Sequence, residues 1–371
     1  MIISINDPVQ STWIFSLIFF IILAALVRSR QIKEWFPATL TTELKGLAIL
    51  MIVLSHIGYF LVNDHRFLWP LTIAAGVGVN LFLFLSGFGL TASQLQKNLP
   101  AWQFYKKRLL KLFTPFWLVL AAFVALDYLV LHISYPLDYL GRAFLGIFTH
   151  ADLYQDINSP LWYFTFILGY YLLFPLVFNK KRPWFSALVL YLAGYLLIYW
   201  QPPFLDYVLY LYKVHIFAFP LGVMAAWIVT KIPAPDFSAG KWSAAGTAMV
   251  YYPVLAGLLA IFVYANIHSG IGVSARLEQS MSILAVLAIS GVFILKKIEC
   301  RLLSLFGLYS YEIYLFHWPI LYRYDIFYFW LPAWAATLLY LFLFLGLGWL
   351  MNKIIRFLSF RQAAKDIASA R

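Results

Sequence analysis

Glu43-Leu44-Lys45-Gly46-Leu47-Ala48-Ile49-Leu50-Met51-Ile52-Val53-Leu54-Ser55-His56 is the stretch from which the rest of the chain is read. A cation stands at the entrance of an apolar run, and a histidine lies eleven residues deeper inside it. A helix rises about 1.5 Å and turns about 100° per residue, so Lys45 and His56 fall about 16 Å apart along the axis and nearly on one face. An ionisable side chain at that depth in a membrane is expensive, and is by default a functional candidate.

The composition says that a membrane is the setting. Of 371 residues, 63% are hydrophobic, 20% aromatic and only 11% charged, with a mean hydropathy of +0.82. A soluble domain of this length cannot hide so much apolar surface, so the chain reads as an all-α polytopic membrane protein in a lipid bilayer. The net charge of +12 does not point to nucleic acid. The basic residues sit in short runs between apolar segments, as loops kept on the cytoplasmic side do. One cysteine, Cys300, excludes an intramolecular disulfide framework. The first apolar run has neither a basic region before it nor a small-residue cleavage site after it, and reads as an uncleaved span.

Stretches long enough to cross a core of ~30 Å need about 17–25 residues. The sequence predicts eleven, over 12–28, 44–62, 71–92, 112–133, 161–178, 184–200, 207–230, 244–266, 279–295, 308–326 and 332–352. With the N-terminus outside, the inside loops hold Arg28, Arg30 and Lys33; Lys97, Lys106, Lys107, Arg108 and Lys111; Lys180, Lys181 and Arg182; Lys231 and Lys241; and Lys296, Lys297 and Arg301. Lys45 stands at the inner boundary, and the C-terminal segment adds Lys353, Arg356, Arg361, Lys365 and Arg371, so 22 of the 27 basic residues share one side. An even number of spans would break this alternation. The expected organisation is an extra N-terminal helix and linker over 1–39, a ten-helix core over 40–355, and a basic cytosolic tail over 356–371.

His56 has two readings: a buried histidine bonded to a neighbouring helix, or a general base or acyl carrier, since histidine is the side chain best suited to move protons at neutral pH. Ser55 beside it does not face it on a helix. Lys45 alone would be a snorkelling lysine, but its register with His56 raises its standing. Arg108 and Lys111 lie three apart, on one face if a helix has begun, and make a plausible site for phosphates or lipid head groups. Small residues over Gly78–Leu90 predict close helix packing, with Asn80 needing a buried partner. Over Leu308–Ile320, Glu312, His317 and three tyrosines are too polar for lipid, and Glu312 or His317 could orient His56. Lys213 and His215 form a further polar pair, and Asp127 lies in a span with no partner evident from sequence.

Together these stretches resemble the acyltransferase 3 family of integral membrane O-acyltransferases. Lys45 and His56 match a basic residue, ten spacers and a histidine. Asn80 to Leu90 is similar to an apolar run ending in Leu-Ser-Gly-Phe. Arg108 and Lys111 before Leu-Phe-Thr-Pro-Phe-Trp resemble an Arg-x-x-Arg motif. Ser159 to Tyr163, continuing to Leu173-Phe174-Pro175, and Tyr309 to Pro319 resemble two further spans. The resemblance implies acyl transfer, often acetyl, from acyl-CoA to a glycan or glycolipid across a bacterial cytoplasmic membrane. It implies a catalytic role for His56 and roles in donor binding or site structure for Lys45, Arg108 and Lys111; Glu312 and His317 are expected to support the catalytic site, and no metal is expected. An exporter of a glycan intermediate is the alternative. The chain departs from the family in having Lys111 for arginine, Gly169 and Tyr170 where some members carry glutamate, the extra span 12–28, and no appended hydrolase-like domain.

Overall fold

The computed structural model describes residues 2–30, 34–233, 244–270 and 274–369. Lys33, Lys241 and Arg371, assigned above to the inside, lie outside them. Fourteen helices follow in order: α1 (Pro8–Ala25), α2 (Ala38–Ser55), α3 (Ala75–Lys97), α4 (Ala101–Leu131), α5 (Leu137–Phe144), α6 (Trp162–Val177), α7 (Pro183–Trp200), α8 (Asp206–His215), α9 (Ala218–Val229), α10 (Ala244–Ile267), α11 (Ala275–Leu295), α12 (Arg301–Leu308), α13 (Ser310–Arg323) and α14 (Ala333–Ser369). Among the described residues the fold is all-α apart from two three-residue strands, β1 (Val27–Ser29) and β2 (Ile298–Cys300), paired antiparallel with Arg28 opposite Glu299.

Ten helical segments among the described residues are long and apolar enough to cross a membrane. They match ten of the eleven expected spans. The exception is 308–326, where the backbone leaves helical geometry at Tyr309 (φ −108°, ψ 14°) and leaves α13 only 14 residues long. At about 1.5 Å per residue α13 is shorter than a ~30 Å core. With α12 the chain still runs end to end: β2 precedes it beside β1, and Arg323 at its close pairs with Asp127 near the far end of α4. Expected span 207–230 is likewise two helices, α8 and α9. α4 starts before its apolar part and carries Arg108 and Lys111 as helical residues, while α14 continues through the expected tail to Ser369.

α2 and α3 are buried along most of their length; α1, α7 and α10 are mostly open. The open faces are apolar, such as Trp13, Leu17 and Phe20 on α1 and Leu196, Tyr199 and Trp200 on α7, as surfaces solvated by lipid tails require. The protein is a multi-pass membrane protein.

Lipid tails are as apolar as leucine, so helices associate through close packing of small residues. Gly87 of α3 lies against the Phe219 carbonyl of α9, and Gly222 of α9 lies against the Phe84 carbonyl of α3. A side chain at either position would strike backbone. Gly222→Val should therefore destabilise the protein by about 1–3 kcal/mol, the range for overpacking. Gly89→Ala, whose added carbon meets nothing within 4 Å, should not lower the melting temperature in detergent. Equal melting of the two variants would remove the backbone-contact explanation. The same device joins α2 to α12 through Gly46 and Gly307.

Candidate active site

Lys45 and His56 reach the same cavity, as their spacing requires. It measures about 850 Å³. Lys45, Arg108 and Lys111 line its basic end, with Gly307, Leu308 and Asn352; Ala75, Gly76, Ala151 and Leu153 line it towards the opposite end. Arg108 and Lys111 are each close enough to Lys45 to repel its charge. Among the described residues, none of the three cations makes an ion pair. A cluster of three cations without an ion pair at the mouth of a cavity focuses potential and attracts anions. Glu312 lines the same end, with Lys111 as its electrostatic partner.

At His56 the backbone widens. α2 ends at Ser55, and His56–Leu61 forms one turn of π-helix, an irregularity frequent at functional sites. The imidazole lies nearly coplanar with that of His317 (centroids 5.0 Å, planes 9° apart) and makes edge contacts with Phe60 and Trp318. Ser55 donates elsewhere, to the Leu71 carbonyl at 2.6 Å, in keeping with the expectation that it does not serve the histidine.

His317, rather than Glu312, is the group that meets His56. Nδ1 of His56 and Nε2 of His317 are 2.8 Å apart, a distance that holds one proton. Nδ1 of His317 faces the carbonyls of Tyr314 (2.9 Å) and Ile313 (3.2 Å), which can only accept. In the neutral pair His317 therefore carries its proton on Nδ1 and accepts at Nε2. His56 donates from Nδ1 and keeps a lone pair on Nε2. One imidazole is thus held by a second, which backbone carbonyls orient in turn, the geometry that a base and its orienting partner require.

Two polar groups singled out in the sequence find partners elsewhere. Asn80 donates to Ser282 Oγ at 2.6 Å and meets His215 Nδ1 at 2.9 Å with its carbonyl oxygen. Asp127 pairs with Arg323 and accepts from Tyr135 and Tyr324 at 2.6 and 2.7 Å. Sequence reasoning missed Glu43, which is fully buried and accepts from Lys296 Nζ (2.7 Å) and Cys300 N (2.6 Å). The available signal was an acid inside the same quoted stretch as Lys45.

No curated protein and no solved structure matches the chain. A family model described as an acyltransferase domain does, over residues 44–353, a region containing Lys45, His56, Arg108, Lys111, Glu312 and His317. A match over most of the length, on a bundle of membrane-crossing helices, means that this chain is a multi-pass membrane acyltransferase and belongs to the acyltransferase 3 family.

Proposed function

We propose that the protein transfers an acyl group, acetyl foremost, from cytosolic acyl-CoA to a hydroxyl of a cell-surface or lipid-linked carbohydrate. It does so in a bacterial cytoplasmic membrane, with its N-terminus outside and its C-terminus in the cytosol. The observation that carries this reading is the convergence of Lys45, Arg108 and Lys111, without ion-pair partners among the described residues, on the cavity that holds His56. Phosphates of the donor neutralise the three cations, and its thioester arm extends along the cavity. Nε2 of His56 takes the proton of the attacking hydroxyl. The new C–O bond forms as the C–S bond breaks, and the same proton passes to the leaving thiolate, giving the ester and the free thiol. His317 steadies the transient imidazolium by accepting from Nδ1, and Glu312 supports the basic end.

Export of a glycan intermediate is the second reading, favoured by a cavity that reaches from Asn352 to Ala151 and Leu153. Purified protein given labelled acetyl-CoA and glycan-bearing membranes separates the two. The transferase labels carbohydrate, and Arg108→Gln raises the acetyl-CoA KM about tenfold or more, the scale of one charge-assisted hydrogen bond. Binding without label transfer, together with glycan flux in vesicles, would favour the exporter.

A further inference from the structure

The cavity carries a second histidine that the transfer step does not use. His215, the last residue of α8, lines the cavity although only 2% of it is exposed. Its protonation is set by its neighbours. Asn80 gives its amide N–H to Ser282, so its carbonyl oxygen faces His215 Nδ1, and a carbonyl oxygen only accepts. His215 therefore keeps its proton on Nδ1, and Nε2 carries the lone pair. Among the described residues no hydrogen bond reaches Nε2. The ring is held by a stack on Trp162 (5.5 Å, 19°), which also lines the cavity.

Depth follows from the packing of α3 on α2. Gly78 lies against the Ala48 carbonyl and Ile52, and Gly76, two residues earlier on α3, is the position beside the His215 ring, with Cε1 4.0 Å from where its Cβ would be. His215 thus stands at the level of the C-terminal half of α2, the helix that delivers His56. Around it the wall is Gly76, Val79, Trp162 and Leu211, all uncharged, in contrast to the three cations at the other end. An acceptor nitrogen in a neutral wall suits an alcohol O–H, and would leave an anion without a donor.

We infer that His215 is a substrate-binding residue: its Nε2 accepts a hydrogen bond from a hydroxyl of the sugar acceptor, while a neighbouring hydroxyl of the same sugar faces His56 Nε2. Two fixed acceptors in one cavity select a polyol over a simple alcohol, and Trp162 gives the sugar ring a flat apolar wall. Nδ1–H held by Asn80 keeps Nε2 an acceptor throughout the cycle. The inference rests on the carbohydrate reading above.

The test uses full-length protein in vesicles, labelled acetyl-CoA, and membranes from cells lacking the protein, titrated as the source of acceptor glycan. His215→Phe removes the acceptor nitrogen. Gly76→Leu leaves the Asn80–His215–Ser282 set intact, improves helix propensity, and fills the space before the ring. Both should raise the amount of acceptor needed for half-maximal transfer about tenfold, with the acetyl-CoA KM unchanged. His215→Gln, which retains an acceptor oxygen, should recover much of the loss. Unchanged acceptor dependence in Gly76→Leu, or donor and acceptor constants rising together in both variants, overturns the inference while wild-type transfer upholds the carbohydrate reading. A wild-type protein that labels no carbohydrate removes that reading and the inference with it.

Discussion

Cells producing His56→Ala should lose the acylated surface glycan altogether, with the protein present in the membrane at the wild-type level. The side chain is half-buried against Phe60, Trp318 and His317, none of which depends on it for a charge, so truncation leaves a small void rather than an orphaned ion. Its expected chemical contribution is that of a general base, about 10²–10⁴-fold in rate. That is enough to take the product below detection in a mass spectrum of the glycan pool. His317→Ala should act more mildly. The base remains, but neither its tautomer nor its imidazolium is held, so kcat falls while the acetyl-CoA KM stays. His317→Gln, whose side-chain oxygen can accept from His56 Nδ1, should recover part of the rate. Full glycan acylation in His56→Ala would end the assignment of His56, whatever His317 does.

The second large effect is on stability. Asp127→Ala should destabilise the protein by about 3–5 kcal/mol, the range for breaking a buried ion pair and leaving its partner charged. Asp127 is fully buried, and Arg323 nearly so. Removing the carboxylate leaves the guanidinium without its counter-charge and takes the acceptor from the hydroxyls of Tyr135 and Tyr324. Arg323 also donates to the Asp156 carbonyl at 2.5 Å, and Asp156 accepts from Asp152 N at 2.8 Å, so the network ties α4 and α13 to the segment that carries Ala151 and Leu153 into the cavity. The double variant Asp127→Ala/Arg323→Met, with no charge left to bury, should melt above Asp127→Ala in detergent. Equal melting of the single and double variants would mean that the orphaned charge is not the source of the loss.

Ten of the eleven expected spans and the shared face of Lys45 and His56 were legible in the sequence because hydropathy and helical periodicity are local. So was the helical placement of Arg108 and Lys111, which needs only that α4 begin early. The break at Tyr309 was not, since Gly307 beside it also serves to pack α12 against α2, and the run over 308–326 is long enough to read as one span. Pairings were the least legible. Asp127 stands out in its span, yet its partner Arg323 is 196 residues away and nothing in either neighbourhood names the other. From sequence, Glu312 and His317 are both candidates to orient His56. His317 takes that role because the rotation of α13 points that residue, not Glu312, at the π turn. Asn80 was read as needing a partner, and the partner is a histidine 135 residues away on α8, so its part in the cavity emerged only from the fold.

The buried pair between Glu43 and Lys296 bears on how the protein is made. Glu43 leaves the ribosome 253 residues ahead of Lys296. At roughly 5–20 residues per second the carboxylate waits about 13–50 s for its cation. Through that interval α2 holds an acid near one end and has neither α11 nor α12 to cover it. Nascent α2 must therefore rest with Glu43 at the water interface, or against a chaperoning surface, until the chain from Lys296 to Cys300 arrives. Arg28 waits similarly for Glu299, 271 residues later. The helix that brings Lys45 and His56 is thus among the first to be synthesised and among the last to be seated, and the cavity they line closes only near the end of translation.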